Sequence, residues 1–121
     1  MKILNYFLSA LLLLCFSRCA ENDSPQFCHV TSIDDLEWLK AEMVANNYYE
    51  GISVGDVLIY HAYYQINEVI YIYHCCPNCN TLPPEIRSCN GELLGYLGVD
   101  IDDNLLTNKK VIWRTRKGVC T

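Results

Sequence analysis

The residues best suited to chemistry in this chain lie in one short segment, His74-Cys75-Cys76-Pro77-Asn78-Cys79. Cysteines at such spacing serve as disulfides, metal ligands or redox pairs. A thiol oxidoreductase would use Cys76 and Cys79, but reactive pairs of this kind lie at a helix N-terminus that lowers the thiol pKa, and this pair follows a strand-like run. Structural zinc needs a second close pair, and only the separated Cys89 and Cys120 remain. We therefore predict that six cysteines form disulfides, namely Cys28, Cys75, Cys76, Cys79, Cys89 and Cys120.

The connectivity of these cysteines is open, because six cysteines allow fifteen pairings. Neighbouring residues of a strand point to opposite faces, so Cys75 and Cys76 are expected to bond to different partners. We expect Cys28 or Cys120 to join one end of the chain to the 75–79 cluster, and Cys89 to join that cluster across the intervening loop.

The first nineteen residues have the pattern of an export signal. Lys2 provides a basic start, residues 3–16 are almost continuously apolar, and Cys19 closes the segment. The apolar run, roughly fourteen residues, is shorter than the roughly twenty of a membrane-spanning helix. We predict a signal peptide over 1–19 and a lipid anchor on Cys19; simple secretion is the alternative, because Arg18 is not the small residue usual before a lipidated cysteine. The expected location is the bacterial cell envelope, on its periplasmic or surface face, or the exterior, with membrane contact through a lipid anchor only.

The charge balance argues against nucleic acid as a partner. Fourteen acidic residues outnumber nine basic ones, for a net charge of −5; loss of Lys2 and Arg18 with the signal leaves seven basic residues and a net charge of −7. Phosphate binding needs clustered positive charge. Most remaining basic residues lie near the C-terminus, which favours a charged edge strand that resists pairing with another chain over an anion-binding site.

One domain is predicted after a short tether. Residues 20–30 are polar and aperiodic and form the predicted tether, and 31–121 form a single domain. Apolar side chains recur at helical spacing over 33–45, and Ser32 precedes them as a capping residue. The sequence therefore predicts one N-terminal helix.

The remaining elements are predicted to be strands. Runs 56–64 and 69–75 alternate with a period of two and are separated by a connection of hairpin length. Both faces of this hairpin are apolar or aromatic, which indicates a central place in a sheet whose one face is covered by the helix. The later predicted strands are 86–89, 92–96 and 111–115, with Asn90-Gly91 as a turn and an acidic loop over 100–108. The expected fold is α+β, with the helix packed on an antiparallel sheet of about four to five strands and braced by disulfides.

Two further motifs are interpreted as structural. Residues 51–55 match the G-x-S-x-G string of serine hydrolases, but they lie between a helix and a strand, the reverse of the order in those enzymes. The acidic run 100–104 offers oxygen ligands for calcium but lacks the glycine and distal glutamate of a calcium-binding loop, so a solvated turn is favoured. We expect no catalytic residue, metal or cofactor.

Tyrosines are concentrated on the predicted hairpin. Such side chains suit a half-buried sheet and also suit binding surfaces. Packing is the favoured interpretation. If the chain binds a protein or a small molecule, the first candidate surface on this pattern consists of Tyr60, Tyr63, Tyr64, Tyr71 and Tyr73.

Several motifs occur in an order similar to that of a known group. They are Asp35-Leu36-Glu37-Trp38-Leu39-Lys40, Val69-Ile70-Tyr71 before the cysteine cluster, Cys89-Asn90-Gly91-Glu92-Leu93-Leu94 and Lys110-Val111-Ile112-Trp113. Over residues 33–114 the chain resembles small, uncharacterised bacterial lipoproteins with a D-L-x-W-L-K helix, a tyrosine-rich hairpin and a cysteine-containing loop. It departs from them in the acidic loop and in the tail with Cys120. The resemblance implies an envelope location and the fold, and it implies no activity.

The sequence therefore favours a non-enzymatic binding or structural module that is exported. A secreted peptidase inhibitor is the first alternative, because the proline-containing loop 79–89, braced by disulfides, would enter a protease cleft as a rigid segment. A thiol oxidoreductase at Cys76 and Cys79 is the second alternative.

Overall fold

The computed structural model of the chain describes residues 26–51, 55–76, 80 and 82–115. The predicted signal peptide with Cys19, most of the predicted tether, Cys79 and Cys120 lie outside the described residues. No helix in the described ranges is long and apolar enough to cross a membrane.

The helical segment is divided in two. A 3₁₀ turn spans Ile33–Asp35, and the α-helix, α1, spans Glu37–Ala45. Ser32 caps the 3₁₀ turn, because its hydroxyl accepts a hydrogen bond from the Asp34 N–H at 3.3 Å. Leu36 has an extended backbone, with φ −98° and ψ 100°, and it interrupts the single helix predicted over 33–45. Its side chain is buried in the core, so tertiary packing overrides the continuous helical pattern.

Five antiparallel strands form one sheet in the order β4-β3-β2-β1-β5. They span Asp56–Tyr64 (β1), Asn67–Cys75 (β2), Glu85–Ser88 (β3), Leu93–Tyr96 (β4) and Leu106–Arg114 (β5). The α+β fold, with one helix on an antiparallel sheet and a disulfide brace, confirms the predicted class.

The two faces of the β1–β2 hairpin bury different neighbours because side chains alternate along a strand. The face toward α1 carries Val57, Ile59 and Ile70, which join Leu39 and Met43 of the helix in one core cluster. On the opposite face, the cluster is formed by Ala62, Val69, Tyr71, Ile86, Ile101 and Leu106. Both faces of the hairpin are therefore covered; the helix covers one of them, as predicted.

The face of the hairpin opposite α1 is covered in part by a segment predicted to be a loop. Ile101 and Leu106 are buried within the predicted acidic loop 100–108. The last strand begins at Leu106 and not at residue 111, so β5 includes the end of the predicted loop, residues 106–108. The exposed side chains that precede Val111 concealed this strand, because β5 is an edge strand with a polar outer surface.

Residues at the end of the predicted tether, 20–30, also belong to the packed domain. Phe27 and Val30 exchange backbone hydrogen bonds of 3.0 and 2.9 Å, which close a two-residue turn at Cys28 and His29. Phe27 and Cys28 are buried in the helix-side core.

Cys28 bonds to Cys89 across a sequence separation of 61. The expectation that Cys89 joins the 75–79 cluster is therefore wrong. The register explains the partner: Val69 pairs with Ser88, so Cys89 lies opposite Glu68, and the Cys28 N–H donates to the Glu68 carboxylate at 3.0 Å.

Gly91, in the predicted Asn-Gly turn, supports the helix directly. Its φ is +86°, and a Cβ built on it would lie 2.8 Å from Cγ of Trp38. Gly91→Ala is expected to lower the free energy of unfolding by about 2 kcal/mol, because backbone strain and a clash add. Urea denaturation measures the loss, and the fluorescence of Trp38 is expected to shift.

Gly98→Ala is the matched control for that prediction. Gly98 has a similar φ of +78°, but nothing lies within 4 Å of the added Cβ. Its expected cost is about 1 kcal/mol, from backbone strain alone. Equal losses in the free energy of unfolding for the two variants would show that a clash with Trp38 adds nothing to the cost of Gly91→Ala.

Candidate functional site

A cleft of about 460 Å³ lies on the helix side of the sheet, between α1 and strands β2 to β4. In the sheet order, β1 and β5 lie on one side of β2, and β3 and β4 lie on the other. Buried side chains of α1 and β1 pack together in the helix-side cluster. Residues of β3 and β4 instead line the cleft. Its lining consists of Trp38, Glu42, Tyr48, Ile70, Tyr71, Ile72, His74, Leu82, Pro83, Pro84, Glu85, Arg87 and Tyr96.

Two simple periodicities place these residues together. Ile70, Ile72 and His74 alternate along β2 and so point to the same face of the sheet. Trp38 and Glu42 are four residues apart on α1 and so lie on the same side of the helix. The cleft is the space between these two rows.

Trp38 is fixed in position by a long-range hydrogen bond. Its indole N–H donates to the Cys89 carbonyl at 2.8 Å, and its ring packs over Gly91. Since Cys89 is bonded to Cys28, the tryptophan wall of the cleft is tied to the disulfide. A ring held in this way offers a preorganised surface to a ligand.

Tyr48 and His74 form a hydrogen-bonded pair in the lining of the cleft. The Tyr48 hydroxyl and His74 Nε2 are 3.0 Å apart, and their ring centroids are 5.4 Å apart in an edge-on arrangement. Burial lowers the pKa of His74, so its imidazole is neutral at pH 7. Burial and the nearby Glu42 raise the pKa of Tyr48. The pair therefore presents uncharged donors and acceptors.

The charged groups of the cleft leave it slightly negative. The Arg87 guanidinium is held by Glu85, with Nε donating at 2.9 Å, and its Nη1 donates to the Gly91 carbonyl at 2.7 Å. Two carboxylates, Glu42 and Glu85, against the one guanidinium give a net charge of −1 among the lining side chains. An anionic ligand is disfavoured, whereas a neutral or cationic ligand with an apolar body fits the lining.

The predicted tyrosine surface is divided between the two faces of the sheet. Tyr60 stacks on the buried Tyr71 with centroids 5.0 Å apart, and Tyr73 meets Tyr60 edge-on at 6.4 Å. Tyr63 lies on the other face beside His61, with centroids 5.3 Å apart. Tyr64 is half-buried against the second cluster. Of the five residues, Tyr71 lines the cleft and Tyr73 is the exposed one.

The disulfide of Cys89 differs from the predicted one, because its partner, Cys28, lies outside the 75–79 cluster. Cys75 and Cys76 each take part in a disulfide, and Cys28 and Cys89 are bonded to each other. The residues of the proposed 79–89 inhibitory loop include Leu82, which is exposed, and Pro83 and Pro84, which line the cleft. At the Cys89 end this loop is braced by Cys28.

The two motifs interpreted as structural are placed as follows. Ser53 of the G-x-S-x-G string lies outside the described residues. In the acidic segment, Asp102 caps the 3₁₀ turn Asp103–Leu105 by accepting from the Asn104 N–H at 3.1 Å. Asp103 pairs with Lys109 at 2.8 Å, and Asp100 accepts from the Tyr96 N–H at 2.9 Å. These carboxylates stabilise turns.

Sequence reasoning missed the cleft. The available signals were Trp38 and Glu42 at helical spacing and His74 at the end of a row of alternating isoleucines. Those signals place residues on faces, but the strand order that brings Arg87 and Tyr96 beside them depends on long-range pairing.

Comparisons with known proteins found no matching family model, no similar curated protein and no similar solved structure.

Proposed function

We propose that this chain is an exported, non-enzymatic binding module of the bacterial envelope, held at the membrane by a lipid on Cys19. In this proposal, the cleft between α1 and β2 to β4 holds the ligand. The ligand is a small molecule or peptide side chain with a flat apolar body and a neutral or positively charged end.

The aromatic lining of the cleft is the observation that carries the proposal. Trp38, Tyr48 and Tyr96 surround a space of about 460 Å³, which lies in the range of about 300–1,000 Å³ typical of ligand pockets. Rings of this type provide large contact areas at a small cost in conformational entropy. The net charge of the lining supports selection against anions.

The binding experiment uses three probes that share one ring. Phenethylamine, 2-phenylethanol and phenylacetate are cationic, neutral and anionic, respectively, and each is titrated into the mature chain while backbone amide NMR shifts are recorded. We expect the cation and the neutral probe to shift residues of the cleft, and phenylacetate to bind more weakly than either. Stronger binding of phenylacetate would contradict the charge argument.

Two tyrosine variants then locate the site. Tyr96, 37% exposed, lines the cleft, whereas Tyr73, 41% exposed, lies on β2 among the tyrosines of the opposite face. Tyr96→Ala is expected to weaken binding of the cationic probe, whereas Tyr73→Ala is expected to leave it unchanged. The reverse result would move the site to the tyrosine surface of the hairpin, and no shift with any probe would reject the cleft as a binding site.

The anchor is tested separately. Intact-mass spectrometry of the chain purified from bacterial membranes is expected to show acyl chains on an N-terminal Cys19. A mature chain recovered without lipid would favour simple secretion.

A further inference from the structure

A second group of chemically active side chains meets where the N-terminal turn contacts the β1–β2 hairpin. Cys28 Sγ, a ring nitrogen of His61 and a carboxylate oxygen of Glu68 all lie within 4.8 Å of one another. Cys89 Sγ is bonded to Cys28 Sγ and lies 4.0 Å from Oε2 of Glu68. Four potential ligand groups from three parts of the chain therefore converge.

The site is enclosed and its polar groups are oriented. Cys28 and His61 are buried, and Glu68 is largely shielded. Glu68 Oε1 accepts from the Cys28 N–H at 3.0 Å and lies 3.0 Å from His61 Nε2. The Glu68 carboxylate is therefore held in place beside Cys28 and His61.

The backbone at this point is held in an uncommon conformation. Cys28 has φ +50° and His29 has φ +64°, although neither is glycine, and two successive residues of this kind carry strain that the surrounding contacts must offset. The Phe27–Val30 hydrogen bonds and the contact with Glu68 hold the turn independently of the disulfide. The Cys28 side chain is therefore expected to stay at the site after the disulfide is reduced.

We propose that two-electron reduction of the Cys28–Cys89 disulfide converts this cluster into a zinc site with the ligands Cys28, Cys89, His61 and Glu68. A dithiol reductant supplies two electrons and two protons, becomes a cyclic disulfide and leaves two protein thiols. Binding of Zn²⁺ then releases both thiol protons, and His61 ligates the ion through a ring nitrogen that carries no proton. In the oxidised chain neither sulfur is a thiolate, so the disulfide form does not bind the ion.

The movement required is small. Tetrahedral zinc with sulfur, nitrogen and oxygen ligands needs ligand atoms roughly 3.3–3.8 Å apart, from bond lengths of about 2.0–2.3 Å. Breaking the disulfide lets the two sulfurs separate to that distance. The ligand atoms of Cys28, His61 and Glu68, now within 4.8 Å of one another, need to shift only slightly to reach it. Soft thiolates together with imidazole select zinc over calcium or magnesium.

Cobalt(II) is the probe for the test, because it substitutes for zinc and is coloured when bound by thiolates. The mature chain is reduced anaerobically with a phosphine, desalted and titrated with CoCl₂. We expect one cobalt per chain at this site, with a thiolate-to-cobalt charge-transfer band, and displacement of the colour by ZnCl₂. The unreduced chain is expected to stay colourless.

Variants assign the ligands and exclude the other cysteines that reduction exposes. Cys89→Ser is expected to lose the charge-transfer band of this site, whereas Cys76→Ser retains it. His61→Gln and Glu68→Gln are expected to weaken zinc binding by at least about a hundredfold, since even outer-shell partners contribute ten to a hundredfold. Circular dichroism checks that each variant is folded. If His61→Gln does not fold, the result for Glu68→Gln decides, because glutamine keeps an oxygen acceptor for the Cys28 N–H. The proposal is overturned if the reduced chain binds no cobalt, or if Cys89→Ser and Glu68→Gln bind it as the parent does.

Discussion

Replacing Cys28 and Cys89 together by alanine is expected to lower the free energy of unfolding by about 4 kcal/mol. The bond closes a loop with a sequence separation of 61, and a crosslink restricts the unfolded chain more strongly as the loop lengthens. A domain of this size has a total stability of about 5–15 kcal/mol, so the loss would bring the variant near unfolding. Urea denaturation followed by circular dichroism measures it.

Val30→Ala is the control for this prediction. Val30 closes the same N-terminal turn and packs against the same core, but its truncation leaves the disulfide in place. Its expected cost is about 1 kcal/mol, from lost packing at a partly buried site. If the double cysteine variant loses no more than Val30→Ala, the crosslink contributes little beyond packing.

Thr115→Val is expected to lower the free energy of unfolding by about 3 kcal/mol, although it changes the shape of the side chain very little. The Thr115 hydroxyl donates to the fully buried Asp56 carboxylate at 2.8 Å and accepts from the Val57 N–H at 3.1 Å. Valine can do neither, so a buried carboxylate oxygen and a buried N–H each lose a partner. Arg114 remains 3.8 Å from Asp56 and limits the loss. Urea denaturation at pH 7 gives the difference.

Thr107→Val provides the matched comparison. Thr107 lies on the same strand, β5, but its side chain is exposed. The substitution is expected to change stability by no more than about 0.5 kcal/mol. A small effect at Thr115, similar to that at Thr107, would mean that water replaces the threonine hydroxyl at Asp56.

The β1–β2 hairpin is predictable from sequence because its signal is local. Alternation with a period of two identifies both strands, and β1 spans the predicted residues Asp56–Tyr64. The Asn90-Gly91 turn between β3 and β4 is predictable for the same reason, since Gly91 adopts the positive φ that favours glycine in such turns.

The errors lie where packing outweighs local preference. Leu36 fits the helical pattern but is extended in the structure because its side chain joins the core. Residues 106–110 are polar enough to resemble a loop, but pairing with β1 makes them a strand. In both cases the deciding contacts come from residues distant in the sequence.

The sequence by itself determined the fold class, the hairpin at the centre of the sheet and the apolar faces that pack around it, because these follow from residue periodicity. Tertiary structure alone decided that Cys28 bonds to Cys89, that Glu68 and His61 lie beside them, and that Trp38, His74 and Tyr96 line one cleft. Local patterns assign a side chain to a face, whereas the strand order and register determine which faces meet. Those depend on the free energy of the whole packed core, which no short segment encodes.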